Sequence, residues 1–120
     1  MAQPDPDHPI LVRPHGGRVR VTLAGETVAD SRDAQVLYEC GYPPVYYLPR
    51  EDVRMDRLTA TDHRTHCPYK GDASYWTVAA GGETAENAAW SYQDPFDTVA
   101  AIAEHVAFYP DAVEIDDSGG

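Results

Sequence analysis

A chain of 120 residues is the usual size of one domain and long enough to bury a modest core without metals or disulfides. Its 42% hydrophobic content is too high for a disordered chain. Nine basic residues against twenty acidic ones, a net charge of −11, argue against a nucleic-acid or anionic-membrane partner, because phosphate is bound by clustered Lys and Arg.

Residues 1–9 alternate Pro with Asp and read as a flexible arm. They lack the basic and apolar regions of a secretory leader, and no apolar run approaches the roughly 20 residues that span a bilayer, so a cytoplasmic address is expected. Ile10 to Pro14 reads as a short extended segment, and His15-Gly16-Gly17 as a turn. Arg18 to Leu23 alternates polar and apolar residues with period two, and Thr27 to Asp30 returns after Ala24-Gly25-Glu26 to complete a hairpin. Ser31 has the chemistry of an N-cap, which predicts a short helix over Arg32 to Glu39 closed by Gly41.

Tyr42 to Pro49 is extended and aromatic, and Arg50 to Leu58 is charged and partly helical, with Val53, Met55 and Leu58 turned inward. Thr59 to Thr65 reads as loop. Asp72 to Val78 and Ala88 to Tyr92 form a long hairpin about Ala79-Ala80-Gly81-Gly82-Glu83. Asp94-Pro95 opens a helix, and Val99, Ile102, Ala103 and Val106 recur at helical spacing up to Phe108. Ala112 to Ile115 closes the domain as a strand, leaving residues 116–120 as an acidic tail. The expected fold is one mainly β domain over 10–115, antiparallel sheets built from hairpins with one or two short helices.

The segment Thr65-His66-Cys67-Pro68-Tyr69-Lys70-Gly71 concentrates chemistry. Cys67 is a candidate nucleophile, because His66 and Lys70 beside it would favour a thiolate. A buried structural thiol is the commoner role for a lone cysteine. Two cysteines without a CxxC pair exclude a Cys-rich zinc site, and the five histidines show no ligand spacing, so neither metal nor cofactor is expected. Lys70 stands before its glycine, which is wrong for a phosphate loop.

Five of the nine basic residues fall between Arg50 and Lys70. Arg50 and Lys70 lie near aromatic segments and are candidates to hold a carboxylate or phosphate, whereas Arg54 and Arg57 read as surface charges. The alternative is that each pairs with a local acid such as Glu51, Asp52 or Asp72. Tyr46, Tyr69, Trp76 and Trp90 are the rings expected at a pocket wall, although at least half of the aromatic set must serve the core because strand side chains alternate faces.

The blocks Tyr42-Pro43-Pro44-Val45-Tyr46-Tyr47-x-Pro49-Arg50, Thr65-x-Cys67-Pro68-Tyr69-Lys70-Gly71-x-Ala73-x-Tyr75-Trp76, Ala89-Trp90-x-Tyr92 and Ala107-Phe108-Tyr109 resemble the bacterial domain-of-unknown-function family 427 from about Ile10 to Ile115. The resemblance implies a fold similar to the β-tent group, in which two antiparallel sheets meet at an angle. It also brings a nucleotidyltransferase label, yet the acidic metal-binding pattern of that chemistry is missing. Three readings follow from residues and resemblance together. The leading one is a small-molecule-binding domain with an anionic ligand held at Lys70 and Arg50. The others are an enzyme with Cys67 as nucleophile, and an interaction or structural domain with a homodimer as one form.

Overall fold

The computed structural model describes residues 9–39 and 41–119; the arm expected at 1–9, apart from Pro9, and Cys40 lie outside them. Ten strands run in chain order: β1 (Ile10–Pro14), β2 (Arg18–Leu23), β3 (Glu26–Ser31), β4 (Gln35–Glu39), β5 (Val45–Pro49), β6 (Leu58–Cys67), β7 (Gly71–Ala80), β8 (Glu83–Ser91), β9 (His105–Phe108) and β10 (Glu114–Gly119). They form a seven-stranded sheet in the order β1-β4-β5-β9-β8-β7-β6 and a three-stranded sheet β10-β2-β3. Every pairing is antiparallel, so the fold is mainly β.

The alternation read in Arg18 to Leu23 has its physical counterpart here. Val19, Val21 and Leu23 point inward with Val28, and meet Leu48, Trp76, Val78, Ala89, Val106 and Phe108 on one face of the large sheet. The opposite face of that sheet carries Leu37, Tyr47, Ala73, Tyr75, Tyr92 and Ala107, covered by Val99 and Ile102, with Ile10 and Val12 of β1 packed against the cluster. Because strand side chains alternate, the neighbours Tyr75 and Trp76 serve these two cores separately.

Four local expectations are corrected. Residues 35–39, read as a helix, are β4. The Ser31 hydroxyl does accept the Asp33 N–H at 3.0 Å, but it closes a turn and the chain then extends. Val36 and Leu37 are better suited to a pleated, two-sided burial, and β4 is paired on both edges, by β1 and β5. Thr59 to Thr65, read as loop, lies within β6; its mostly exposed residues belong to an outer strand of the sheet and so lack an apolar stripe.

The helix expected at 98–108 is instead a 3-10 turn over Asp97–Ile102, broken at Val99, followed by β9. Glu104, at φ +58°, reverses the chain so that His105 to Phe108 can pair with β8. The other helical pieces are single 3-10 turns at Arg50–Asp52 and Met55–Arg57, from which Val53 and Leu58 are buried as expected. No α-helix occurs among the described residues. The acidic stretch read as a tail from Asp116 is, through Gly119, part of β10 on the edge of β2.

Two hairpin turns lock the sheets together. Ala24-Gly25 joins β2 to β3 and Gly81-Gly82 joins β7 to β8, and all four residues have positive φ, the geometry that matches strand twist in two-residue hairpins. The turns touch: a Cβ on Gly81 would stand 2.5 Å from the Ala24 carbonyl oxygen and 2.6 Å from its Cβ. Gly81→Ala is therefore expected to lose about 2 kcal/mol, from left-handed strain plus displacement of the facing backbone. Equilibrium unfolding in urea checks this, and an unchanged midpoint would show that the turns do not bear on each other.

Candidate functional site

The site begins with a ladder that stops early. β5 and β9 are bonded only at Leu48↔Val106 and Pro49↔His105. Continuing that register would oppose Tyr47 to Ala107, Tyr46 to Phe108, Val45 to Tyr109 and finally Pro44 to Pro110. Prolines have no N–H to give a ladder, so the far end of this seam has two residues that cannot donate. The strands part, β5 staying with β4 and β9 with β8.

The opening holds a cavity of about 680 Å³, within the size range of small-molecule sites. Because it passes along a split in the sheet, residues from both faces of β5 reach it: Tyr47 with Leu37, Tyr75, Trp90 and Tyr92 on one side, Tyr46 with Phe108, Ile115 and Asp117 on the other. Tyr42, Pro43, Tyr109 and Pro110 form its lip, and Tyr42 is largely exposed.

The aromatic wall is cross-linked. Trp90 stands edge-on to Tyr47, centroids 6.2 Å apart, and lies against Tyr109 at 4.5 Å. Its indole N–H donates to the Tyr47 hydroxyl at 3.3 Å. Burial drives the Tyr47 and Tyr92 phenols well above the ordinary tyrosine range, since their charged forms would be stripped of water. Tyr46 donates to the Asp117 carboxylate, and that bond, with burial adding to it, pushes its hydroxyl up to about 12. Tyr109 is also pushed up to about 12, by burial first and then by a hydrogen bond to Tyr75. The Tyr75 hydroxyl lies 2.9 Å from Thr65 Oγ1.

The Cys67-Pro68-Tyr69-Lys70-Gly71 block is the turn between β6 and β7. The Lys70 N–H donates to the Cys67 carbonyl at 3.2 Å, closing a four-residue turn with Pro68 at the position its fixed φ suits. Gly71, at φ +118°, lets Asp94 and Pro95 approach within 3.5 Å of where a Cβ would be, and the Lys70 carbonyl accepts the Phe96 N–H at 3.0 Å. Held on both sides, the turn sends Lys70 into the cavity. There its ammonium meets Glu39 Oε1 at 2.7 Å and lies 5.9 Å from the centre of the Tyr92 ring. Both partners of this ion pair are only 12% exposed.

The residues singled out from sequence divide into two groups. Tyr46, Cys67, Lys70 and Trp90 line the cavity. Arg50 and Trp76 do not; the Arg50 guanidinium lies 5.4 Å from the Trp76 ring centre, and Trp76 is buried in the core between the sheets. Tyr69 is a half-buried residue of the turn. Cys67 is a free thiol, half-buried against the core on the Tyr47 side. His66, its neighbour, projects the other way to an exposed Asp72 at 2.6 Å, so the strand separates imidazole from thiol. Arg54 and Arg57 pair with Asp56 and Glu26.

Glu39, Tyr109 and Asp117 also line the cavity, beyond the residues to which the sequence points as ligand-binding. The β-type run Val36-Leu37-Tyr38 could have placed Glu39 at the end of a strand. Among the described residues, no three His, Cys, Asp or Glu side chains gather as a metal set, and no helix is long and apolar enough to cross a membrane.

A family model described as Domain of unknown function (DUF427) matches residues 11–119. The chain belongs to this family. The DUF427 match covers all ten strands bar Ile10, including both rims of the cavity and the Lys70 turn. No curated protein matches the chain.

Proposed function

We propose that this DUF427 chain is a cytoplasmic small-molecule-binding domain whose ligand lies in the cavity between β5 and β9. What supports the reading is one observation: a nearly buried lysine in an aromatic cavity of about 680 Å³, with its carboxylate partner also at the wall. Ligand sites combine a largely apolar lining with a few placed polar groups, and that is the composition here. Trp90 and Tyr109 offer faces for stacking, and Lys70 offers donors to an anionic group of the ligand. Arg50, held on Trp76, is left out of this assignment.

A thermal-shift screen of a metabolite library against wild type and Lys70→Met tests it. A ligand near 100 times its Kd adds about 2.7 kcal/mol, a rise of several degrees in Tm. Compounds bearing an anionic group should raise the wild-type Tm and lose most of that shift on the variant. If no compound class separates the two proteins, the cavity does not hold an anion at Lys70.

A further inference from the structure

Resting on that cavity reading, we infer that the ligand is a zwitterion with an aromatic body, an amino-acid-type molecule whose carboxylate meets Lys70 and whose ammonium meets Glu39. The ion pair itself carries the inference. Lys70 and Glu39 are in contact at 2.7 Å, both line the cavity, and each is 12% exposed, so the two charges already neutralise each other in a poorly hydrated place.

A ligand with only a negative charge would compete with Glu39 for Lys70 and leave a second anion beside it with no new cation. A ligand with only a positive charge would do the same to Lys70. Uncompensated charge in such a place is strongly unfavourable, whereas a ligand that brings one charge of each sign keeps all four paired. The groups have the capacity: an ammonium has three donors and a carboxylate about four acceptor positions, more than one mutual bond uses.

The rest of the wall agrees with a dipolar head on an aromatic body. The other carboxylate lining the cavity, Asp117, is engaged by the Tyr46 hydroxyl, which leaves the Lys70–Glu39 pair as the polar focus. Trp90, tilted against Tyr109 at 4.5 Å, gives the body an aromatic surface.

The experiment is isothermal calorimetry with four matched probes on wild type: L-tryptophan, tryptamine, indole-3-propionate and N-acetyl-L-tryptophanamide. They share the indole and carry both charges, the positive one, the negative one and none. Tryptophan should bind tighter than each of the other three by about tenfold or more. Glu39→Gln, which keeps the shape and removes the negative partner, should shift the preference to indole-3-propionate. The inference is overturned if indole-3-propionate, tryptamine or the uncharged amide binds wild type as tightly as tryptophan, or if none of the four binds. The broader cavity reading falls separately, when the metabolite screen returns no Lys70-dependent compound of any kind. An anion hit in that screen together with failure of tryptophan here would keep the pocket and remove the zwitterion.

Discussion

Replacing Lys70 by methionine is expected to destabilise the protein by about 3 kcal/mol, among the larger effects a single substitution can have here. The methionine keeps an apolar, unbranched stem but leaves Glu39 nearly buried without the ammonium 2.7 Å away. Glu39→Gln should be destabilising for the mirror reason, and less so, because a neutral amide still accepts a hydrogen bond from Lys70. The double variant, with both charges gone, should recover much of the Lys70→Met loss, since a buried pair is worth less than the harm of halving it.

The contact also ties β4 to the β6–β7 turn across 31 positions of sequence, so its loss frees two parts of the cavity wall from each other. Urea unfolding followed by tryptophan fluorescence reads the effect as a midpoint lowered by about 1–2 M. A Lys70→Met midpoint within error of wild type, or a double variant no better than Lys70→Met, would mean that water screens the pair.

The hairpins β2–β3 and β7–β8 were legible in the sequence because their determinants are local: period-two alternation in Arg18 to Leu23 before Ala24-Gly25, and strand-like segments flanking Gly81-Gly82. β9 was not. Val99, Ile102, Ala103 and Val106 have true helical spacing, but Val99 and Ile102 bury against one core and Val106 against the other, which a single helix could not arrange. Tertiary pairing with β8 overrode a local pattern. β6 was hidden for the opposite reason, as an exposed outer strand rich in threonine has no apolar period to detect.

At the site, Lys70 stands out as a basic residue beside aromatic segments in an acidic chain, while Glu39 does not, because its partner is distant in sequence and its own segment reads as helix. The cavity itself is a missing ladder. Its only sequence trace is the pair of prolines, Pro44 and Pro110, which become opposed once the β5–β9 register is known.

Above pH 10 the protein is expected to lose stability with a slope that approaches about 2.7 kcal/mol per pH unit near pH 11, from Tyr47 and Tyr92 alone. Both phenols are raised above the ordinary range by burial, so in the folded state they stay protonated where an unfolded chain has released its protons. A group raised in the folded state contributes stability that is fully present below its unfolded value, near 10 for tyrosine. That stability is lost as pH climbs towards the folded value. Each such proton retained by the native state removes about 1.4 kcal/mol per pH unit, and two of them give the figure above. Tyr46 and Tyr109, at about 12 and more exposed, add a smaller share.

The loss should therefore take the form of one cooperative transition and not of eight independent titrations. Tyrosinate absorbance and circular dichroism recorded together from pH 9 to 12.5 decide the matter. The buried tyrosines should ionise only as the sheet signal collapses. Complete ionisation near pH 10 with the strands intact would mean that water reaches Tyr47 and Tyr92 freely, and that the cavity wall is not the dry surface on which a small ligand would depend.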